Sequence, residues 1–243
     1  MVPARLASSR FPGKPLVPID GLPMVVRSAR RALDAGCFER VVVATEDPEI
    51  VEVCTAHGLD AVLTPAFPTG TDRVAWVAAQ ADFAWVLNLQ GDEPVFPLAL
   101  LRELCERMPT DPTALWTAAD LHLPAADLDD RDVVKILLGP EHRGEASALD
   151  FHRDGAQALS GGGVAAVHVG VYAGSARAFA RFAGLPPTAR ELERAIEPLR
   201  ALDAGMPVKA VVGKWKRVAV DRMEHISRVL DHLHSRGESD ANR

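Results

Sequence analysis

Short apolar runs alternate with longer amphipathic segments along the first part of the chain. The runs VVVAT (41–45), AVL (61–63) and WVLNLQ (85–90) are rich in β-branched or large apolar residues, as buried strands are. A segment with helical spacing of apolar residues follows each run. Strands separated by helices pair in parallel, because the helix carries the chain back to the same end of the sheet. The pattern therefore predicts an α/β fold with a mostly parallel sheet.

Turn and capping residues mark the limits of the first two helices. The segment GLPMVVRSARRALDAG (21–36) has one apolar stripe and stops at a glycine. In DPEIVEVCTAHG (47–58), Asp47 is a candidate N-cap, Pro48 takes the first helical position, and a glycine ends the segment. These signals predict two βα units before residue 60.

The pattern changes after residue 110. Residues 139–163 are polar and glycine-rich, and we expect them to form a hairpin or an excursion from the sheet that serves in dimerisation. Pro198 interrupts or starts a helix that we expect over 190–202. The other segments predict strands at 114–123, 133–138, 163–174 and 208–213, and a last helix at 222–237.

Composition narrows the class of protein. A chain of 243 residues with 48% hydrophobic side chains can bury the core of one large α/β domain. It has no run of about 18 apolar residues and no secretory leader, so we expect a cytoplasmic protein without a membrane span. The net charge of −6 disfavours nucleic acid as a partner, because a polyanion needs a basic face. The wide spacing of Cys37, Cys54 and Cys105 argues against a disulfide framework or a zinc site and predicts three buried, reduced thiols.

The first loop is an exception to this acidic composition. PARLASSRFPGKPL (3–16) carries Arg5, Arg10 and Lys14 among small residues. Loops between a first strand and the following helix bind phosphate in many α/β folds. The glycine spacing matches neither the dinucleotide fingerprint nor the P-loop, so a solvated basic turn stays an alternative to an anion site.

Two aspartates stand at predicted strand ends. LNLQGDEP (87–94) ends an apolar strand with Asp92, and VAVD (218–221) ends another with Asp221. Ligands of open α/β sheets bind at the carboxyl ends of strands, and Mg²⁺ takes one or two carboxylates there. The two aspartates are therefore candidate Mg²⁺ ligands. The alternative is that each caps the helix that follows.

Five segments, in this order, resemble those of one enzyme family. PARLASSRFPGKPL, VVVATED, TGTDR, LNLQGDEP and VAVD are similar to the CMP-KDO synthetases, the cytidylyltransferases that activate 3-deoxy-manno-octulosonate (KDO). The family has a longer apolar run before PAR, so we expect either a start codon assigned too late or a first strand shortened to Met1 and Val2. The likeness is strongest over 2–97 and returns at 133–135, 168–172 and 219–221.

The resemblance implies a fold and an activity. The fold is the Rossmann-like nucleotide-diphospho-sugar transferase fold, with a mostly parallel sheet and a small inserted subdomain in a single domain over 1–243. Its parts are a nucleotide-binding half at about 1–110, an acceptor and dimerisation subdomain at about 111–205, and a metal-binding strand and helix at 206–237. The implied enzyme is a homodimeric nucleotidyltransferase that uses Mg²⁺ to move CMP from CTP to an acidic acceptor, usually KDO, and releases pyrophosphate.

The resemblance also implies three overlapping sets of site residues. The catalytic set is Arg5, Lys14, Asp92 and Asp221, of which Asp92 and Asp221 hold Mg²⁺. The CTP-binding set is Pro3, Ala4, Arg5, Lys14, Ala44, Thr45, Gly70, Arg73 and Gln90. The acceptor-binding set is Arg10, Gln90, Arg153, His168, Tyr172 and Glu197.

The acceptor half departs from the family pattern. DFHRDGAQ (150–157) keeps Arg153 of the family's Ser-Arg-Ala-x-Ile-Pro element but loses the residues that follow. IEPLR (196–200) has Pro198 where the family has glutamine. Proline has no side-chain amide and no backbone N–H, so we expect at least one sugar contact to be missing.

Alternatives to a KDO-activating enzyme follow from this departure. One is a related enzyme for another acid: a KDO variant, another keto-acid sugar, or a phosphonate such as phosphonoformate. Another is a non-catalytic nucleotide-binding protein, which the presence of Lys14, Asp92 and Asp221 disfavours. For His168 and Tyr172 the alternative to an acceptor contact is packing in the core of the subdomain.

Overall fold

The structure is a computed structural model that describes residues 1–7, 11–215, 220 and 223–236. The strands are β1 (Val2–Ala4), β2 (Pro18–Ile19), β3 (Leu22–Pro23), β4 (Val42–Thr45), β5 (Asp60–Leu63), β6 (Trp85–Leu89), β7 (Leu115–Asp120), β8 (Lys135–Leu138), β9 (Glu145–His152), β10 (Val164–Ser175) and β11 (Val208–Gly213). The helices are α1 (Met24–Asp34), α2 (Pro48–Ala56), α3 (Gly70–Gln80), α4 (Leu98–Arg107), α5 (Ala125–Asp129), α6 (Gly155–Ser160), α7 (Ala176–Ala183), α8 (Ala189–Arg194), α9 (Leu199–Asp203) and α10 (His225–Arg236). None of these helices is long and apolar enough to cross a membrane.

The chain divides into two compact units. The first takes its residues from Met1–Val77, Asn88–Arg102 and Lys216–Arg243, and the second from Ala78–Leu87 and Glu103–Trp215. The predicted division into a nucleotide-binding half, an acceptor subdomain and a metal-binding C-terminal segment concerns function, and it stays a prediction.

The first unit contains a parallel sheet in the order β1-β4-β5. Ala4 lies opposite Thr45, which lies opposite Leu63, so the three strands end at the same level. The N–H of Leu89 donates to the carbonyl of Met1 at 2.9 Å, which places the end of β6 beside β1. The predicted α/β class with parallel strands is confirmed, although β1 runs on to Ala4, inside the segment expected to be a loop.

Helix α10 packs against the rest of the first unit through one apolar face. Ile226, Val229, Leu230 and Leu233 recur at intervals of three and four residues, which places them on one side of the helix. This stripe explains why the helix predicted over 222–237 forms at His225–Arg236. Its buried members pack in a cluster with Phe11, Ile19, Met24, Val95 and Val220.

The second unit contains a six-stranded mixed sheet in the order β6-β10-β7-β11-β9-β8. Strands β7 and β11 pair in parallel, whereas the β7–β10, β8–β9, β8–β10 and β9–β11 pairs are antiparallel. The segment 139–163, expected to form a hairpin or an excursion, supplies β9 to this sheet and then forms α6.

The helix predicted over 190–202 is two short helices, α8 and α9. Helix α8 begins with a capping box: the Thr188 hydroxyl accepts the N–H of Glu191, and the Glu191 carboxylate accepts the N–H of Thr188. It ends at Ala195, whose φ of 51° lies in the left-handed region. Pro198 then occupies the N-cap position of α9, as a proline that starts a helix does.

The three cysteines differ in exposure. Cys54 is buried, Cys105 is half-buried and Cys37 is exposed. The prediction of three buried thiols therefore holds for Cys54 only. Cys37 directly follows Gly36, where the backbone leaves α1, and it lies in a surface loop.

Candidate active site

Three of the sequence segments meet at the carboxyl end of the first sheet. A Cβ on Gly91 would lie 2.9 Å from the carbonyl oxygen of Pro3, closer than a side-chain carbon can approach. A Cβ on Gly70 would lie 3.2 Å from Pro3 Cγ and 3.5 Å from Gln90 Oε1. Glycine at both positions lets the chain pack this tightly. The loops that carry PAR, TGTDR and QGDEP are thereby brought together.

Lys14 and Asp92 form an ion pair in this region. Lys14 Nζ lies 2.6 Å from Asp92 Oδ2, and it also donates to the carbonyl oxygen of Val220 at 2.8 Å. The N–H of Val220 in turn donates to the main-chain oxygen of Asp92 at 3.0 Å. The chain at residue 220 is thus paired with the chain at residue 92. Asp221, the second predicted metal ligand, directly follows Val220 in the sequence and lies outside the described residues.

The atoms around Lys14 suit a hard cation. Carboxylate and main-chain carbonyl oxygens are the groups that Mg²⁺ and similar ions prefer. Both kinds of oxygen bind the ammonium group of Lys14 here, from Asp92 and Val220. No group of three or more His, Cys, Asp or Glu residues that could hold a metal occurs in the described parts of the chain, which do not include Asp221. The donor set therefore fits a metal held by one or two carboxylates.

Arg73 ties together the ends of the three parallel strands. Its Nη1 donates to the carbonyl of Ala4 at 3.2 Å, its Nε donates to Thr64 Oγ1 at 3.1 Å, and its Nη2 donates to the carboxylate of Glu46. Only 2% of the Arg73 side chain is exposed. The sequence predicts that Arg73 points toward the ligand. In the structure its guanidinium is bonded inside the protein, and a contact with CTP stays a prediction.

The TGTDR loop before Arg73 caps helix α3. The hydroxyl of Thr69 accepts the N–H of Asp72 at 3.1 Å. Two residues further, Thr71 Oγ1 accepts a hydrogen bond from Asn88 Nδ2 at 3.1 Å, and both side chains are buried. Asn88 thus fastens the strand before QGDEP to the start of α3, a role that the sequence alone did not reveal.

Asp47 has a different partner from the one its position suggests. It occupies the N-cap position of α2, yet within the described residues its carboxylate makes no capping hydrogen bond. Instead Oδ2 accepts the N–H of Leu6 at 2.7 Å, in the loop that follows PAR. The N–H of Asp47 donates to Thr45 Oγ1 at 3.1 Å. Glu46 and Asp47 are both missing from the predicted site, and two acids directly after a parallel strand are the signal that could have indicated them.

The remaining predicted nucleotide residues belong to β4 and to the loop that follows β1. Ala44 and Thr45 are buried at the end of β4, and the carbonyl of Thr45 accepts the N–H of Thr64 at 2.7 Å. Arg5, the residue after β1, is exposed. Arg10 lies outside the described residues.

His168 and Tyr172 lie together in the second unit. His168 Nε2 is 3.0 Å from Thr117 Oγ1. The same Thr117 hydroxyl also donates to the carbonyl of Val169 at 3.1 Å. The ring centroids of His168 and Tyr172 are 5.8 Å apart.

The phenol of Tyr172 stays neutral in this environment. Burial, and then the negative charge of Glu197, raise the pKa of Tyr172 well above its ordinary value. At neutral pH the side chain can therefore donate a hydrogen bond but carries no charge. Contacts of Tyr172, His168 and Glu197 with an acceptor stay predictions.

Two arginines of the acceptor half bind groups of the protein itself. Arg153 donates to three main-chain carbonyls, those of Arg131, Arg194 and Ala195, at 2.9, 2.6 and 3.0 Å. Arg200 forms a buried ion pair with Glu191 at 2.6 Å. A contact of Arg153 with an acceptor also stays a prediction.

Comparison with known proteins identifies the family. A family-wide sequence profile described as cytidylyltransferase matches residues 1–210. The 3-deoxy-manno-octulosonate cytidylyltransferase of Azorhizobium caulinodans is 37% identical over 233 residues, which cover 94% of this chain and 92% of that protein. The protein of the same name from Halorhodospira halophila is 40% identical over 223 residues, 86% of each chain.

Solved structures agree with the sequence comparison. A CMP:2-keto-3-deoxy-manno-octonic acid synthetase complexed with CTP superposes with a TM-score of 0.83 and 29% identity, covering 97% of both chains. A UDP-glucose pyrophosphorylase complexed with UDP-glucose shares the fold at a TM-score of 0.69 and 14% identity, over 97% of this chain and 98% of that chain. The nucleotidyltransferase fold and the resemblance seen in the sequence are thereby confirmed, and the chain belongs to the cytidylyltransferase family.

Proposed function

We propose that the protein transfers CMP from CTP to KDO and releases pyrophosphate. The observation that carries this proposal is the meeting of PAR, TGTDR and QGDEP at one end of the parallel sheet, with Lys14 and Asp92 paired beside them. Relatives named for the same reaction cover most of the chain, which supports it further.

The reaction needs positioning and charge neutralisation more than acid–base chemistry. An acceptor hydroxyl loses its proton to solvent as its oxygen attacks the α-phosphorus of CTP, and the bond from that phosphorus to the bridging oxygen of the β-phosphate breaks. Negative charge grows on the leaving pyrophosphate. Arg5, exposed at the end of β1, and Lys14 are the cations that we assign to this charge.

We assign Mg²⁺ to the carboxylates of Asp92 and Asp221. The bound ion would supply positive charge at the α-phosphate and lower the pKa of the attacking hydroxyl. In the structure, Lys14 neutralises Asp92. Lys14 is thus placed to exchange one anionic partner for another when the nucleotide arrives.

A different acidic acceptor is the second candidate function. The arginines that the acceptor half keeps, Arg153 and Arg200, are bonded to main-chain carbonyls and to Glu191. Pro198 stands at the start of α9 without the amide that a glutamine would offer. These observations favour a pocket that differs from the usual KDO site, for a KDO variant, another keto-acid sugar or a phosphonate.

A pyrophosphate-release assay tests both candidates. CTP and Mg²⁺ are supplied with KDO, sialic acid, 8-amino-KDO or phosphonoformate in turn. Release with KDO at the highest kcat/KM supports the proposal, and release with another acid alone supports the second candidate. If none of the acids supports release while CTP still binds, a non-catalytic nucleotide-binding protein is the better description.

We further propose that the enzyme is a cytoplasmic homodimer. The exposed side chains of Leu149 (49%) and Leu159 (61%) lie within 139–163, the segment that the sequence assigns to dimerisation. CTP is an intracellular nucleotide, which supports the location. Light scattering coupled to gel filtration, with Leu149→Asp and Leu159→Asp as variants, tests the dimer. A monomeric wild type would contradict it.

A further inference from the structure

Arg5 is held by the protein on both sides. The carbonyl of Ala4 belongs to the peptide group before Arg5, and it accepts a hydrogen bond from Arg73 Nη1 at 3.2 Å. The N–H of Leu6 belongs to the peptide group after Arg5, and it donates to Asp47 Oδ2 at 2.7 Å. The orientations of these two peptide planes define φ and ψ of Arg5. Both backbone angles of Arg5 are therefore restrained from outside its own loop.

Two adjacent acids at the end of β4 are the source of this restraint. Asp47 acts directly, through the hydrogen bond to Leu6. Glu46 acts through Arg73, because its carboxylate is the charge partner of that buried guanidinium. A buried cation is stable only when it is paired, so Glu46 is needed to keep Arg73 in place.

The strand register brings these residues to Arg5. Ala4 and Thr45 are opposite each other at the ends of β1 and β4. The residues that follow them, Arg5 and Glu46, are therefore the first to leave the sheet on neighbouring strands. Asp47 has the backbone of an N-cap but directs its carboxylate to Leu6. Its side chain therefore does not stabilise the N-terminus of α2, as an N-cap residue usually does, but contacts the loop that carries Arg5.

We propose that Glu46 and Asp47 are positioning residues for Arg5. By fixing the main chain around Arg5, they set the direction in which its exposed side chain leaves the sheet. A guanidinium held in a preset direction loses less freedom when a triphosphate binds. The inference rests on the proposed function, in which Arg5 contacts the triphosphate of CTP.

The test compares CTP binding by variants of Asp47 in the full chain, measured by isothermal titration calorimetry. We expect Asp47→Ala to weaken CTP binding roughly tenfold, the size of one lost charge-assisted hydrogen bond. Asp47→Asn keeps an oxygen that can accept the N–H of Leu6, and it should restore binding to within about twofold of wild type. Asp60→Asn, which breaks the exposed pair with Arg40 in the same unit, is the matched control and should leave CTP affinity unchanged.

A double-mutant cycle with Arg5→Ala separates positioning from general destabilisation. If Asp47 acts through Arg5, Asp47→Ala has no further effect on CTP affinity once Arg5 is alanine. The proposal is overturned if Asp47→Ala lowers CTP affinity by the same factor in the wild-type and in the Arg5→Ala background. If circular dichroism shows that Asp47→Ala does not fold, Glu46→Gln replaces it in the same double-mutant cycle. A wild type that does not bind CTP refutes the proposed function, whereas additive losses in a CTP-binding protein refute only the positioning role.

Discussion

The ammonium group of Lys14 lies 2.6 Å from the carboxylate of Asp92 and donates as well to the carbonyl of Val220. One ammonium group thus binds two protein oxygen atoms where the chain at residue 220 pairs with the QGDEP loop. The positive charge offsets the cost of partly burying this carboxylate. It also occupies oxygens that we assign to a metal. Lys14 and a divalent cation must therefore compete for Asp92.

Loss of the Lys14 charge should strengthen metal binding without nucleotide. In Lys14→Gln, Asp92 has no ammonium partner, so Mn²⁺ used as a probe should bind more tightly in the absence of CTP. Electron paramagnetic resonance of free Mn²⁺ measures this directly. Lys14→Arg keeps the charge and serves as the control. Equal Mn²⁺ affinities of wild type and Lys14→Gln would argue against competition at Asp92.

Loss of either carboxylate should stop catalysis and leave the fold intact. Asp92→Asn and Asp221→Asn each remove a charge that we match to the metal and the transition state, and turnover should fall by orders of magnitude. Circular dichroism checks the fold, and a pyrophosphate-release assay measures turnover. Near-normal turnover of Asp221→Asn would show that this carboxylate is not needed to hold the metal.

The enzyme should select the base of its nucleotide. A site that hydrogen-bonds the edge of cytosine rejects bases that present other groups, and purines also need more room. We expect kcat/KM for CTP to exceed that for GTP or ATP by orders of magnitude in the same assay. Comparable values for GTP would be incompatible with a cytidylyltransferase.

Cys54 should resist a thiol reagent that modifies Cys37. Burial raises the pKa of the Cys54 thiol from 9.0 to about 11, so between these values the folded protein keeps a proton that the unfolded chain loses. The contribution of Cys54 to the free energy of unfolding is therefore complete below pH 9.0 and declines as pH rises toward about 11. At pH 8 a thiol reagent should modify Cys37 rapidly and Cys54 only on unfolding. Rapid modification of Cys54 in the folded Cys37→Ser variant, located by peptide mass spectrometry, would show that Cys54 is accessible.

The sequence predicts most accurately the strands and helices that a local pattern of apolar residues determines. The β-branched run before Thr45 and the apolar run before Asp92 locate two strand ends, because burial of a strand requires such residues. Helix α10 follows from its apolar stripe in the same way. The family resemblance then identifies the chemistry at those strand ends.

Contacts between distant segments are what the sequence does not predict. Asp47 looks like a cap for α2 because the following proline and helix are visible locally, whereas its partner Leu6 lies 41 residues away. For Arg73 the sequence suggests a ligand contact, which stays a prediction, but it does not show the three acceptors that the register of β1, β4 and β5 brings to the guanidinium. Only the register of the parallel strands shows which side chains meet.

The identity of the acceptor can be tested at Pro198. This residue starts α9 in a helical conformation, with φ −64° and ψ −13°, so glutamine can replace it without distorting the backbone. In a KDO-type site a glutamine here would add one hydrogen bond to the sugar, worth about 0.5–1.5 kcal/mol or roughly 2- to 13-fold in binding.

The two acceptor classes therefore predict opposite results for Pro198→Gln. If KDO is the substrate, the substitution should be neutral or lower KM for KDO. If the pocket is shaped for a smaller acid, the longer side chain should intrude on it and lower kcat/KM with that acid. Parallel kinetics of wild type and Pro198→Gln with KDO and phosphonoformate make the distinction, and Pro198→Ala controls for the loss of the ring. If the wild type turns over KDO efficiently and Pro198→Gln does so equally well, the smaller acid is ruled out as the substrate. A pocket without room for the glutamine side chain could not accept the larger sugar beside it.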